Sequence, residues 1–343
     1  MSATATRAMT VIVGPAEHGV VQHASAVAAA VGGRTIHVDR SEDVAPIDGA
    51  DADVVHLHYT DQLFGPDTTS AATAFAALAR RINAPIVVTL HDLPLLDGTA
   101  RSARRARTYG AVAAAATTAI VSSESERRRL GDHAIVGAVA VIPLPVREPA
   151  SMPERSSIRA GTAHTPVVGI LGFIYPGKGH DEVIDALATV DRGDAVVVAI
   201  GRASDGHEDL VPELAERARQ GGHRFVTTGY LDDTAVAAWL ASVDVAVAPA
   251  TQPSASASLH AWIGAGRRPL VAASPYACEI AAHGDHLVTL YPPSDARDLA
   301  AAIGRALDDP ASTWRTGPPP PRLTMAAVAD AHRAVYAKAA RGG

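Results

Sequence analysis

Lys178 lies in the loop Ile174-Tyr175-Pro176-Gly177-Lys178-Gly179-His180, after an apolar run, Val167 to Phe173. Val183, Ile184 and Leu187 follow at helical spacing. Strand, glycine loop and helix start in that order aim free backbone N–H groups at one point, which is how a helix N-terminus receives an anion. A cation there is opposed by the helix dipole unless negative charge lies close by. Lys178 therefore reads either as a solvated lysine in a βα turn or as part of a phosphate grip. It is one of only two lysines in the chain, with Lys338. Asp181 is the expected N-cap of the helix. A second anion-friendly stretch is Pro249–Pro269, where Ser254, Ser256 and Ser258 precede the expected start of a helix that includes His260–Ala265. It offers hydroxyls and free N–H groups, and no acidic residue occurs between Asp244 and Glu279.

Histidines form the other chemically suggestive set. In His56-Leu57-His58, strand alternation puts both imidazoles on one face. They read as a metal pair, for which no third ligand has recognisable spacing, or as one core histidine and one near a strand end. His91-Asp92 directly follows PIVVTL. A histidine at the carboxyl edge of a strand can position or deprotonate a substrate hydroxyl, and Asp92 can orient it or cap the next element. The loop Gly14-Pro15-Ala16-Glu17-His18-Gly19 is not GxGxxG, so a dinucleotide fingerprint is absent; it reads as a tight turn or as a source of amides for a phosphate. Arg101, Arg104, Arg105 and Arg107, with Arg127–Arg129, suit a solvated helical face or contact with an anionic acceptor or phospholipid surface. Absence of GxxxxGK[ST] and of GxSxG argues against a P-loop kinase and a nucleophile-elbow hydrolase.

These loops need elements to hold them. Strands are expected at Met9–Gly14, Arg34–Val38, Asp53–Thr60, Pro85–Leu90, Thr118–Ser122 and Ala138–Ile142. A helix is expected over Val20–Val31, one over Thr68–Ile82, one within Arg101–Ala116 and a short one over Ser123–Leu130. After a Pro/Ser/Ala-rich connection from Pro143 to about Thr165, alternation resumes at Val167. Strand patterns follow at Ala195–Ile200, Phe225–Gly229, Val243–Ala248, Pro269–Ala272 and Leu287–Leu290. Helix patterns fall at Leu210–Gln220, Asp233–Ser242, Tyr276–Ala282 and Ala296–Leu307. Regular alternation implies parallel βαβ units. The expected organisation is α/β: an N-terminal Rossmann-like domain over 1–150, a second over 151–316, and at 317–343 a proline linker (four prolines, Pro318–Pro321) with an amphipathic helix, Leu323–Ala340. Two such doubly wound domains should present ligand sites at the carboxyl ends of their strands, facing a cleft.

Composition narrows the class. The 343 residues are 48% hydrophobic and 19% charged with a net charge of −6, which suits globular packing and argues against a nucleic-acid binder. The single cysteine, Cys278, rules out an internal disulfide framework and a cysteine zinc site; it is expected to be a small buried residue. The N-terminus, MSATATRAMT, has no apolar stretch, so the expected location is cytoplasmic.

The motifs take on meaning in their order: GPAEHGVVQHA, DVVHLH, PIVVTLHD, IVSSESERRRL, VIPLPV, GILGFIYPGKGHDEVIDAL, TTGYLDDTAVAAWLASVDVAVAP, GAGRRPLVA and LYPPSDARDLAAAI. Over nearly the whole chain this series resembles the retaining GT-B glycosyltransferases of family four, the glycogen-synthase-like and bacterial mannosyl- and glucosyltransferase group. The resemblance implies two doubly wound domains and a last helix returning to the N-terminal one. It implies transfer of a sugar from a nucleotide diphosphate sugar, UDP- or GDP-linked, to a hydroxyl acceptor in glycoconjugate or natural-product biosynthesis. No cofactor or divalent metal is implied, because lysine, arginine and helix amides neutralise the leaving diphosphate. Catalytic roles fall to His91 and Lys178. Donor-binding roles fall to Gly14, Gly19, Lys178, Tyr230, Leu231, Gln252, Ser256, Ser258 and His260, and acceptor-binding roles to His58 and Asp92. Two departures stand out. The family's arginine five residues before the lysine is Phe173 here, and its two glutamates fall on Gln252 and His260. A non-catalytic sugar-nucleotide-binding subunit and a nucleotide-sugar epimerase are the alternatives; the second would need carboxylates that residues 245–278 lack. Peripheral membrane contact is compatible with the arginines, and the sequence leaves oligomeric state open.

Overall fold

The computed structural model describes residues 6–131, 138–150, 165–190, 195–293 and 296–342. The chain divides into two units, Met1–Pro145 with Pro321–Gly343, and Val146–Pro320. The connection expected from Pro143 to Thr165 lies largely, at 151–164, outside the described residues.

The first unit is built on a six-stranded sheet. Its strands are β1 (Ala8–Val13), β2 (Arg34–Val38), β3 (Val54–Tyr59), β4 (Ile86–Leu90), β5 (Thr118–Val121) and β6 (Ala138–Val141). All pairs are parallel, in the order β2-β1-β3-β4-β5-β6. Helices α1 (Gly19–Val31), α2 (Asp61–Phe64), α3 (Thr68–Ala79), α4 (Ala100–Ala114) and α5 (Glu124–Gly131) make the crossovers. β3 and β4 are buried at every residue, as befits central strands covered on both faces. Alternation then sorts the side chains. Val55, Leu57 and Tyr59 join Val88, Leu90, Phe75 and Leu78 in one core layer. Val54, Val87 and Ile120 pack on the opposite face with Val27 of α1, and this is the face that takes His56 and His58.

The second unit repeats the plan. Its strands are β7 (Val167–Leu171), β8 (Val196–Ile200), β9 (Arg224–Thr227), β10 (Val245–Ala248), β11 (Leu270–Ala272) and β12 (Thr289–Tyr291). They are parallel in the order β12-β11-β10-β7-β8-β9. Helices α6 (His180–Leu187), α7 (Leu210–Gln220), α8 (Asp233–Ser242), α9 (Ala257–Gly264), α10 (Pro275–Ala281) and α11 (Ala296–Asp308) flank them. Strand order reverses between β7 and β10, and there α/β sheets open a crevice at their carboxyl edge. Both the Lys178 loop and the serine stretch leave the sheet at this point. Arg267 is fully buried and donates to the carbonyls of Leu240, Val243 and Asp244 at 2.8 to 2.9 Å. Its guanidinium lies 4.3 Å from the Trp314 ring centroid. It thereby ties the turn after α8 to the segment after α11.

The last helix, α12 (Met325–Gly342), belongs to the first unit. Val328, Tyr336 and Ala339 close the core layer over Val54, Val87 and Ile120. Arg333 donates to the carbonyls of Ala30 and Val31 at the end of α1, at 2.6 and 3.2 Å, which satisfies acceptors that a helix C-terminus leaves open. Among the described residues no helix is long and apolar enough to cross a membrane.

Local expectations need correction in four places. The cap of α6 is Gly179, in the left-handed region at φ 95°, while Asp181 sits within the first turn. A Cβ at Gly179 would come within 2.6 Å of the Pro249 ring, so close approach of the two loops dictates the residue, not carboxylate capping. α9 begins at Ala257 with Ser256 as its N-cap, so Ser258, expected to precede the helix, lies in its first turn. Cys278 is exposed, on the outer side of a helix whose buried residues are Tyr276, Ala277 and Ile280. Arg105 is not part of a solvated arginine face: its Nε and Nη2 donate to Asp61 at 2.8 and 3.0 Å in a half-buried pair.

Candidate functional site

In the first unit the carboxyl edges of β3 and β4 bring the histidines together. His58 pairs in register with Thr89, and Tyr59 with Leu90, so His91 emerges one step beyond. His91 is buried, and its Nε2 lies 3.1 Å from His58 Nδ1. The two rings stack at 5.3 Å with planes 16° apart. His56 sits 4.3 Å from His58, fixed by Thr89 Oγ1 at 2.8 Å and by the Tyr336 hydroxyl at 2.6 Å. His23 on α1 stands edge-on to both His58 and His91, at 5.7 and 5.5 Å. Burial holds the His56 and His58 imidazoles well below the usual range, aided by neighbouring histidines. Burial, then the charges of His18 and His332, push His91 down to about 3. These rings are therefore neutral near pH 7, and His91 is suited to hydrogen-bonding a hydroxyl rather than carrying charge. Asp92 has φ 55°, the one positive φ among non-glycine residues described. Its Oδ2 accepts from Thr60 Oγ1 at 3.0 Å, which holds the turn after His91 against the end of β3.

The segments after β3 and β4 also enclose a polar cavity of about 480 Å³, with Asp61, Thr68, Asp97, Ser102 and Arg105 in its wall. Nothing in the sequence pattern singled out Asp61; its pairing with Arg105 across 44 positions leaves no local signature. Gly14 has φ 114° and a Cβ there would lie 2.6 Å from Leu63, so its loop is packed tightly beside α2. His18 caps α1, Nδ1 accepting from Val20 N at 3.2 Å. Gly19 opens that helix with free space around its Cα.

In the second unit Lys178 is half-buried. Its Nζ reaches Ser258 Oγ at 3.4 Å and lies over the Tyr175 ring at 5.9 Å. A Cβ at Gly172 would stand 3.4 Å from Nζ, so the glycine gives the ammonium room at the strand's end. Burial lowers the lysine to about 8, and His180 behind it is pushed to about 4 by burial and by the Lys178 charge. Ser256 Oγ meets Ser258 Oγ at 3.2 Å and caps Leu259 N. Lysine, two hydroxyls and the start of α9 thus converge, as an anion site requires.

Phe173 is exposed, and Arg202 from the end of β8 lays its guanidinium over that ring at 5.2 Å. A cation therefore stands beside the position where sequence reading found only a phenylalanine. His260 is buried and its Nε2 meets the Tyr276 hydroxyl at 3.0 Å. That hydroxyl accepts from Ser256 N at 3.3 Å. So this histidine, expected to face a ribose, instead packs inward and supports the serine turn. Gln252 is exposed in the same loop. Tyr230 is exposed after β9, while Leu231 packs partly against the Trp262 cluster.

Residues 165–309 match the family model described as glycosyl transferases group 1, and residues 6–145 match the glycosyl transferase 4-like domain. The chain belongs to the GT-B glycosyltransferases. The transferase also shares its fold with solved structures. HepE of Anabaena, crystallised with UDP and glucose, is 18% identical over 98% of this chain and 97% of its own, with a TM-score of 0.69. A glycosyltransferase from Rickettsia africae is 12% identical over 99% and 100%, at 0.73. A sucrose-phosphate synthase from Thermosynechococcus elongatus is 18% identical over 97% and 94%, at 0.68. A search of curated proteins finds no match. These identities carry the fold, and the group-1 match carries the glycosyltransferase assignment.

Proposed function

We propose that the transferase moves a hexose from a nucleotide diphosphate sugar to a hydroxyl acceptor, with retention at the anomeric carbon, as a member of family four. The observation that carries this is the convergence of Lys178 Nζ, Ser256 Oγ and Ser258 Oγ at the start of α9, where strand order reverses. That set suits a diphosphate: one cation, two hydroxyls and helix amides, with no carboxylate between Asp244 and Glu279 to repel it. UDP and GDP sugars are the donors of choice, since solved structures of this fold carry UDP and UDP-glucose. Tyr230 and Leu231 would meet the base through their backbone, Gln252 would bond a sugar hydroxyl, and the Gly14–Gly19 loop would lie over the diphosphate.

In the reaction the bond from the anomeric carbon to the diphosphate oxygen breaks and the bond to the acceptor oxygen forms on the same face. The acceptor's proton passes to the departing phosphate. Lys178 stabilises the charge that develops on the leaving group, so the chemistry asks no metal to do so. Neutral His91 holds a hydroxyl of the sugar or acceptor, and His58 and Asp92 hold His91 and its turn. The polar cavity around Asp61 and Arg105 receives the acceptor. The pathway is glycoconjugate or natural-product biosynthesis in the cytoplasm.

The test is direct. Thermal shift against UDP, GDP, ADP and dTDP should single out one diphosphate, because a ligand of the native state raises its stability. With the matching sugar donor, free diphosphate should be released only when a hydroxyl acceptor is added. No shift with any diphosphate, or a shift unaltered in Lys178→Ala, overturns the assignment.

A further inference from the structure

His56 and His58 alone left no third metal ligand legible in the sequence; the fold supplies two. His23 from α1, His58 from β3 and His91 beyond β4 place one imidazole nitrogen each within 4.8 Å of one another. We propose that these three histidines form a binding site for a borderline divalent metal ion of the zinc class.

Geometry supports this. Zinc held by imidazoles at ~2.0–2.1 Å in a tetrahedron sets its ligand nitrogens roughly 3.3 Å apart. His58 Nδ1 and His91 Nε2 are already 3.1 Å apart. Two lone pairs cannot share that distance without a proton or a cation between them, and either serves. His23 is half-buried on α1 and already stands edge-on to both other rings, so the site has an approach from solvent. Behind the three, His56 is clamped by Thr89 and Tyr336, which fixes the packing on which His58 rests.

The donor set is all imidazole, which suits zinc, nickel and copper over magnesium or calcium. Three protein ligands leave a fourth position open. The ligands come from three separate elements, so a bound ion would tie α1 to the two central strands. One consequence rests on the function proposed above: a metal that takes the His91 lone pair denies it to a sugar or acceptor hydroxyl. Zinc is then an inhibitor of transfer that a chelator reverses.

Isothermal titration of the full chain with zinc chloride, without donor or acceptor, tests the site independently of activity. One ion per chain is expected at the site. His23→Ala should weaken it at least about tenfold, whereas His207→Ala, on the second unit, should not. Because α1 favours alanine and His23 is only half-buried, the variant keeps its fold; an unchanged circular dichroism spectrum checks this. Cobalt(II) should give the intense visible absorption of a tetrahedral site in the native chain and lose it in His23→Ala. Equal zinc affinity and stoichiometry in native and His23→Ala chains, or a cobalt spectrum of octahedral type in both, overturns the proposal. Unimpeded transfer at saturating zinc overturns the inhibitory consequence, and the isotherm still decides the site.

Discussion

The two units use one architecture to opposite electrostatic ends. Each is a six-stranded parallel sheet whose central strands deliver side chains to their carboxyl edge. The first unit delivers a stack of imidazoles that burial keeps neutral. The second delivers a single ammonium, half-desolvated, with hydroxyls and a helix start around it. Neutral rings select hydroxyl-bearing groups by hydrogen-bond geometry. A desolvated cation selects charge. In the reaction proposed above, which joins an acceptor hydroxyl to an anomeric carbon while a diphosphate departs, these are the two kinds of recognition required.

The sharpest way to separate the halves is to remove one group from each. His91→Ala should lower kcat about 100-fold through lost positioning of the hydroxyl while leaving the nucleoside diphosphate Kd within about twofold, measured by titration beside turnover. Parallel loss of both would merge the two roles and break the contrast. Lys178→Ala should do the reverse, weakening diphosphate binding by about 10- to 100-fold, the value of a charge-assisted contact of about 1.5–3 kcal/mol. The lysine also gives pH dependence a sign. Because its value in the free protein is about 8 and the diphosphate favours the charged form, binding above pH 8 must take up a proton. Affinity should therefore hold below pH 8 and decline above it; titrations at pH 7 and 9 check this, and Lys178→Ala should abolish the slope.

Smaller effects probe what supports each site. Gly179→Ala should cost about 1–3 kcal/mol in denaturant unfolding, from strain at φ 95° and contact with Pro249. Tyr336→Phe should cost about 1 kcal/mol through loss of the bond to His56, with no change in diphosphate Kd. Arg202→Ala should weaken diphosphate binding only a few-fold, about 0.5–1 kcal/mol, if the cation over Phe173 faces the ligand; no change would confine Arg202 to its ring contact and the Asp205 pair.

Much of the fold was legible because parallel βαβ units write themselves as alternating apolar runs. Strand β2 and helices α7 and α8 fall where periodicity put them. Short helix α2 was not legible: four residues carry no period, and Gly65-Pro66 beside it reads as a loop. Lys178 stood out because lysine is scarce and its loop is glycine-rich. His23 did not, since an isolated histidine in an alanine-rich helix has no pattern; only the third dimension sets it against His58 and His91. Arg202 and Arg105 were lost among the chain's other arginines for the same reason. His260 was misplaced because a sequence register fixes the position of a residue and not the direction of its side chain. Within α9 that ring faces the Tyr276 hydroxyl.

The return of α12 to the first unit has a consequence for synthesis. Tyr336 reaches His56 across 280 positions, and Val328 and Ala339 complete a core layer that Val54, Val87 and Ile120 began. On the ribosome the first six strands emerge with that layer only partly covered, and it stays so until the codons of α12 are read, at about 5–20 residues per second. The second unit, Val146–Pro320, has its own core and can fold as soon as it is out. Of the two units, the one that begins first is thus completed after the other. A nascent chain stalled before Met325 would expose the apolar face that α12 covers, and would be the species most in need of a chaperone.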